Sequence, residues 1–232
     1  MPQNIISVAK NIVAYILISI VTLSMLKGIV QYYPLRDNVG FLQFKQGYLN
    51  IWWWKIAFYT HVFTIIFALI AGFSQFSNYL LRHHKKVHRL IGKIYIYDVL
   101  LVNFPFTMIL AIYANGLLTG KTAFVVLDCL WFWFTLKAVT EIRKGNIKDH
   151  RNYMIRSYAL TLSAVMLRCW KIVISSVITI DPLHLYMIDA WMGFVPNLLF
   201  AEWLIRRKLS IVVAEKYINT GRLRPQISPQ SK

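Results

Sequence analysis

The sequence predicts an all-α polytopic membrane protein of six transmembrane helices. Three observations carry that expectation. Hydrophobic residues make up 57% of the chain, and the mean hydropathy of +0.50 is too apolar for a water-soluble surface. Several apolar runs reach the roughly 20 residues that a helix needs to cross a bilayer core. The 26 Lys and Arg residues, which give a net charge of +17, fall mainly between those runs, as membrane loops require. On a soluble domain such a charge would point to nucleic acid; in this distribution it does not, and no nucleic-acid partner is expected.

Helix is the expected form of each run because it satisfies its own backbone in lipid. The spans are placed at about 11–30, 55–79, 94–115, 122–142, 157–179 and 186–205. Lys10 precedes the first, whose length and lack of an A-x-A-like cleavage site predict a retained helix and not a secretory leader. In the second, Ala68 and Gly72 form a small-xxx-small pair that admits a close neighbour. Pro105 is expected to kink the third. The fourth carries Asp128, and the fifth carries Arg168. The sixth ends near Arg206, so residues 1–205 form the transmembrane domain and 206–232 a basic tail. The stretch from Ile218, with Pro225 and Pro229, is expected to be disordered and drawn to anionic lipid. Cys129 and Cys169 lie inside apolar runs with no CxxC motif and are expected to act as small apolar residues.

Orientation follows from the basic loops. Arg82, Lys85, Lys86, Arg89 and Lys93 follow the second span. Arg143, Lys144, Lys148, Arg151 and Arg156 follow the fourth, and the tail adds Arg206, Arg207 and Lys208. The other side has only Lys27, Arg36, Lys45, Lys55 and Lys121. Denser basic loops face the cytoplasm, so both termini are predicted inside, in the inner membrane of a bacterial cell. The connection 31–54 ends in Trp52, Trp53 and Trp54, an interfacial aromatic belt.

The stretches LLRHHKKVHRLIGKIYIY (80–97) and EIRKGNIKDHRNYMIRSY (141–158) share an Arg, a His-Arg pair six or seven residues on, and a later Tyr. The pairs are His88-Arg89 and His150-Arg151. A two-helix shift preserves orientation, so helices two–three and four–five are expected to be parallel repeats.

The same residues carry a resemblance. HVFTIIFALIAGFSQF, with His61 and Gln75, LRHHKKVHRLIGKIY, with Arg82, His88, Arg89, Gly92 and Tyr95, and HRNYMIRSYALTLSAVMLR, with His150, Arg151, Met154, Arg156, Ser157 and Arg168, are similar to a bacterial family of predicted multi-pass membrane proteins, domain of unknown function 2306. The resemblance covers about 61–168. Tyr153 stands where relatives carry Trp. The family implies membership in a membrane architecture and no particular activity. A weaker architectural likeness is to cytochrome b561-type six-helix proteins.

Two polar constellations stand out. Arg168 lies roughly 16 Å from the inner boundary at about 1.5 Å per residue, a position that costs about 2.5–3.5 kcal/mol without compensation. Asp128, at a similar depth, is the expected ion-pair partner; with His61 and Lys171 the two form an intramembrane cluster, read either as helix glue or as an anion site or proton relay. The second constellation is Gln75, Arg82, His88, Arg89, His150, Arg151 and Arg156 at the cytoplasmic side. It is read first as basic loops solvated by water and lipid phosphate. The sharper reading is a pocket for a phosphate, carboxylate or quinone-like head, because guanidinium forks suit oxyanions and imidazoles add proton-transfer groups. The alternative is haem b ligated by His88 and His150, although His61 has no histidine opposite it on the fourth span to hold a second haem. A metal site from His84, His88, His150 and Asp149 is a further reading. There is no P-loop, dinucleotide fingerprint, HExxH or GxSxG, so ATP-driven and serine-hydrolase chemistry has no support. The expected function is binding or transport of an anionic group, with a haem redox protein or a structural accessory subunit as alternatives. Whether the chain is an enzyme, and its oligomeric state, are left open.

Overall fold

A computed structural model describes residue 16 and residues 19–219, without the side chains of Asn78, Arg82 and 208–219. Among the described residues there is no strand. The helices are α1 (Ser19–Val30), α2 (Trp52–Gln75), α3 (Asn78–His83), α4 (Lys85–Tyr97), a π-helical segment (Asp98–Asn103), α5 (Phe104–Ile112), α6 (Leu117–Arg143), α7 (Ile147–Thr161), α8 (Ser163–Val177), α9 (Pro182–Met192) and α10 (Val195–Asn219). Short 3-10 turns fold the connection between α1 and α2.

Three helices are long and apolar enough to cross a membrane: Trp52–Gln75, Lys85–Ile112 and Leu117–Arg143. The pair Ile147–Thr161 and Ser163–Val177, bent by 45°, makes a fourth if it is one span. The six expected spans meet different outcomes. Much of 11–30 lies outside the described residues, and α1 alone is a short apolar helix. The third span begins well before 94, because Lys85–Lys93 already forms helix in which Ile91 packs on the core. The expected 186–205 is broken at Gly193 and Phe194, and Pro196 opens α10 where its missing N–H costs nothing. Gly193 eases the packing at that break: a Cβ there would stand 3.2 Å from Leu167 Cβ and from Asp189 O, closer than ordinary contact.

Small residues let the helices approach. On α6 the buried positions Gly120, Ala123, Asp128, Trp131, Thr135 and Ala138 form one stripe at helical spacing. Ala68 and Gly72 of α2 do meet a neighbour closely: the Tyr158 ring of α7 lies over Gly72, and its hydroxyl donates to Leu69 O at 3.1 Å. The α4–α5 helix lies between α2 and α6, α7 returns along α6, and α10 covers α7. Pro105 sits at the start of α5, immediately after the π-helical turn, so the helix continues through it with one widened turn. The outside of the bundle is apolar, with Phe67, Leu101, Trp133, Ile172 and Leu199 all at least half exposed. Cys129 and Cys169 are free and lie on that outside.

Candidate functional site

At the end of the bundle where the basic connections lie, two histidines converge. Gln75 closes α2 and lays its carboxamide across α4. Its NH2 donates to His88 Nδ1 at 3.2 Å and His88 O at 3.3 Å, and its oxygen accepts from the Gly92 N–H at 3.3 Å. This amide orientation is the one that satisfies the surrounding donors and acceptors. A Cβ at Gly92 would come within 2.9 Å of the carboxamide, so glycine makes room for it. His88 Nδ1 accepts, and its Nε2 therefore carries the hydrogen in the neutral ring.

His150 has the opposite tautomer. Gly145, at φ +80°, turns the chain after α6, and Asn146 caps α7 by accepting from Asp149 N at 3.2 Å. This tight hairpin places His150 Nδ1 2.8 Å from Ala138 O. A carbonyl can only accept, so Nδ1 carries the hydrogen and Nε2 presents a lone pair. The two imidazoles are close enough for His150 to act on His88 electrostatically. One offers a donor edge and the other an acceptor edge.

The remaining residues of the expected basic pocket separate. Arg89 and Arg151 are exposed, and among the described residues neither forms an ion pair or hydrogen bond. Arg156 is engaged elsewhere. Its Nε donates to Glu202 Oε1 and its Nη2 to Glu202 Oε2 at 3.0 Å, while the guanidinium stacks 5.3 Å from the Tyr153 ring. Glu202 lies on α10, and no local spacing pointed to it. The Arg82 side chain lies outside the described residues. His84 separates α3 from α4, Asp149 is held by Asn146 Nδ2 at 2.6 Å, and no group of three His, Cys, Asp or Glu among the described residues is arranged for a metal ion. The haem reading fits only in part. His150, with Nδ1–H on a carbonyl, has the form of an iron ligand, whereas His88 carries its hydrogen on the nitrogen that would face the metal.

The intramembrane cluster also divides. The expected Arg168–Asp128 ion pair does not form. Asp128 Oδ1 lies 2.7 Å from Thr107 Oγ1, while Arg168 Nη1 donates to Ala164 O of its own helix at 2.8 Å. The 45° bend after α7 sends α8 to pack mainly on α9. There Lys171 interacts with the charge of Asp189. Arg168 remains near enough to His61 to act on it electrostatically. His61 Nδ1 meets Asn103 Oδ1 at 2.7 Å.

Sequence reasoning missed the best-satisfied polar network. Tyr95 OH bonds Ser157 Oγ at 2.7 Å and Thr161 Oγ1 at 2.8 Å, Ser157 bonds Thr135 at 2.7 Å, and Trp131 Nε1 donates to Thr161 at 3.0 Å. The signal was present as i, i+4 polar pairs, Trp131–Thr135 and Ser157–Thr161, within apolar helices. Lys45 was counted as a loop charge. It is only 2% exposed, with Nζ donating to Tyr113 O at 2.5 Å and Asn115 Oδ1 at 2.6 Å and standing 4.7 Å from the Tyr48 ring. Burial, with a smaller contribution from Lys121, lowers its pKa to about 8. A cavity of about 500 Å³ lies beside α9, lined by Thr119, Ile180, His184, Met187 and Trp191; its walls are almost wholly apolar and the convergent polar groups lie elsewhere.

The profile of a family described as predicted membrane protein (DUF2306) matches residues 58–205, and the chain belongs to that family. No curated protein and no solved structure gives a match. The matched stretch holds both histidines, Gln75, Asp98, Asp128 and the α10 residue Glu202.

Proposed function

With membership of that membrane family as the premise, we propose that the chain binds, and in the intact membrane transports, a small anionic group at the His88–His150 end. The ligand is a phosphate, a carboxylate or a quinone-like head. The observation that carries this reading is the approach of two imidazoles of opposite tautomer, each followed in the chain by an exposed arginine, Arg89 or Arg151. Such a set supplies positive charge, a neutral donor and a neutral acceptor within one mouth. The protein is a six-span bacterial inner-membrane protein with both termini and this mouth on the cytoplasmic side, where anionic lipid meets the basic surface. The Lys and Arg asymmetry supports that orientation. The repeat reading is supported by the matching placement of His88 and Tyr95 with His150 and Tyr158, whose tyrosine rings lie 6.4 Å apart.

Thermal unfolding of the detergent-purified protein against inorganic phosphate tests the site. The melting temperature rises with phosphate, and the rise is lost in Arg89→Ala and Arg151→Ala while their melting without phosphate is unchanged. A rise of equal size in both variants refutes the assignment. A visible absorption spectrum taken on the same sample, after growth with haem, examines the His150 form noted above: a Soret band lost in His150→Ala transfers the site to the haem reading.

A further inference from the structure

The middle of the bundle holds polar groups that the anion mouth does not use. The π-helical turn Asp98–Asn103 places both of its end residues inside, with Asp98 7% and Asn103 0% exposed; wide turns of this kind recur at functional sites. Asn103 Nδ2 donates to Asp98 O and to Thr64 Oγ1, each at 3.2 Å. Its Oδ1 is thereby left to accept from His61 Nδ1, and His61 Nε2 presents a lone pair. Asp128 on α6 is 5% exposed. Asp98 and Asp128 each keep one buried carboxyl oxygen, Oδ2, without a hydrogen-bond partner, and among the described residues neither forms an ion pair.

A second feature is a proton count. Thr107 Oγ1 lies 2.7 Å from Asp128 Oδ1 and 2.8 Å from Asn103 O. A hydroxyl has one hydrogen to give. If Thr107 donates to the Asn103 carbonyl, the contact with Asp128 needs a hydrogen from the carboxyl. If Thr107 donates to Asp128, the carboxyl is either charged or protonated at Oδ2. The first arrangement requires a proton on Asp128 and the second allows one. A charged carboxylate with an unsatisfied buried oxygen is strongly disfavoured, and a proton at that oxygen lowers the cost.

The third feature is reach. His88, Tyr95, Asp98, Asn103 and Thr107 lie along the single helix Lys85–Ile112. From His88 to Thr107 the rise is about 28 Å at about 1.5 Å per residue, close to the ~30 Å hydrocarbon core. Four of the five contact polar groups of other helices: Gln75 at His88, the Ser157 and Thr161 hydroxyls at Tyr95, His61 and Thr64 at Asn103, Asp128 at Thr107. Asp98 acts on the charge of Tyr95 of α4, Thr107 contacts Asp128, and Arg168 of α8 acts on His61 of α2. On α9, the buried Asp189 also keeps an unpartnered oxygen, Oδ1, with Lys171 acting on its charge.

We propose that Asp98 and Asp128 are proton-carrying groups in the middle of the membrane, and that the polar stripe of the Lys85–Ile112 helix conducts protons between the His88–His150 mouth and the side on which Trp52–Trp54 lie. Each step passes one proton: a hydroxyl accepts one and releases its own, and a carboxylate takes one up at Oδ2 and releases it to the next group. No other reactant is needed. The path does not depend on what binds at the mouth.

The full chain is reconstituted in phosphatidylethanolamine–phosphatidylglycerol vesicles with a trapped pH dye, and a potassium diffusion potential set by valinomycin drives protons inward. The vesicles acidify faster than protein-free vesicles, and Asp98→Asn and Asp128→Asn each return the rate to the protein-free level. Wild-type protein without flux above protein-free vesicles, or either variant with the wild-type rate, overturns the proposal. Infrared difference spectra of the same vesicles between acid and alkaline buffer provide a readout independent of transport. Carboxyl C=O bands that are absent from the spectra of the two Asn variants support it; a wild-type spectrum without a pH-dependent carboxyl band overturns it.

Discussion

Gly72→Ala is the sharpest probe of the packing that holds α7, and with it His150, in register. A Cβ at position 72 stands 2.0 Å from Tyr158 Cε2 and 2.1 Å from Cδ2, where ordinary contact begins at 3.4 Å. The ring must move by more than an ångström, yet it is 6% exposed and edge-packed on Phe73. Such overpacking costs about 1–3 kcal/mol. The displaced hydroxyl also loses Leu69 O, worth about 0.5–1.5 kcal/mol. Against these stands the helix preference of Ala over Gly, about 1 kcal/mol. The expected net loss is about 1–3 kcal/mol. In a Tyr158→Ala background the clash and the bond are both gone and only the helix preference remains, so the same substitution becomes stabilising by up to about 1 kcal/mol. The sign of the effect therefore changes with the background. Reversible unfolding of the four proteins of the cycle in mixed micelles, followed by helical circular dichroism, measures it. Equal effects of Gly72→Ala in both backgrounds, within about 0.5 kcal/mol, would falsify the close crossing of α2 and α7.

Two further expectations concern buried charges. Lys45 has an ordinary value of 10.5 and a folded-state value of about 8. Between these the unfolded chain holds a proton that the folded chain has released, so the folded state gains stability as pH rises from about 8 to about 10.5. Below about 8 the penalty for burying the ammonium is fully present. The difference in melting temperature between wild type and Lys45→Met should shift in favour of the wild type across that window; a difference that stays flat with pH refutes the buried ammonium. Glu202→Ala leaves the partly buried Arg156 guanidinium without its carboxylate and is expected to cost about 1–3 kcal/mol, more than the conservative Glu202→Gln. Unfolding in detergent checks the order, and an Ala variant as stable as wild type refutes the α7–α10 link.

Much of the architecture was legible because a bilayer imposes simple length and polarity rules on each segment separately. The apolar runs identified α2, the α4–α5 helix and α6. The Ala68–Gly72 pair identified a close crossing, although not that Tyr158 fills it. His88, His150 and Gln75 were singled out from a local pattern, and local structure does explain them: Gln75 ends one helix, and His150 lies in the first turn of α7 after a three-residue connection. Pairings between distant helices were not legible. Asp128 was assigned to Arg168 by depth alone, but depth does not say which face of a helix a side chain occupies or how its helix bends. The 45° turn after α7 gave Arg168 to its own backbone and left Asp128 to Thr107.

By itself the sequence determined that this chain is helical and membrane-embedded, and that its positive charge gathers at particular connections, because these follow from hydropathy summed over a segment. Tertiary structure alone decided which charges are spent. Arg156 is spent on Glu202, Lys45 on the carbonyls beside Tyr113 and Asn115, and Arg89 and Arg151 are left exposed. It also decided the tautomers, since the partner opposite a neutral imidazole fixes which nitrogen bears the hydrogen: a carboxamide NH2 makes His88 Nδ1 an acceptor, and a main-chain carbonyl makes His150 Nδ1 a donor. Those partners come from other helices, so no reading of one segment could supply them.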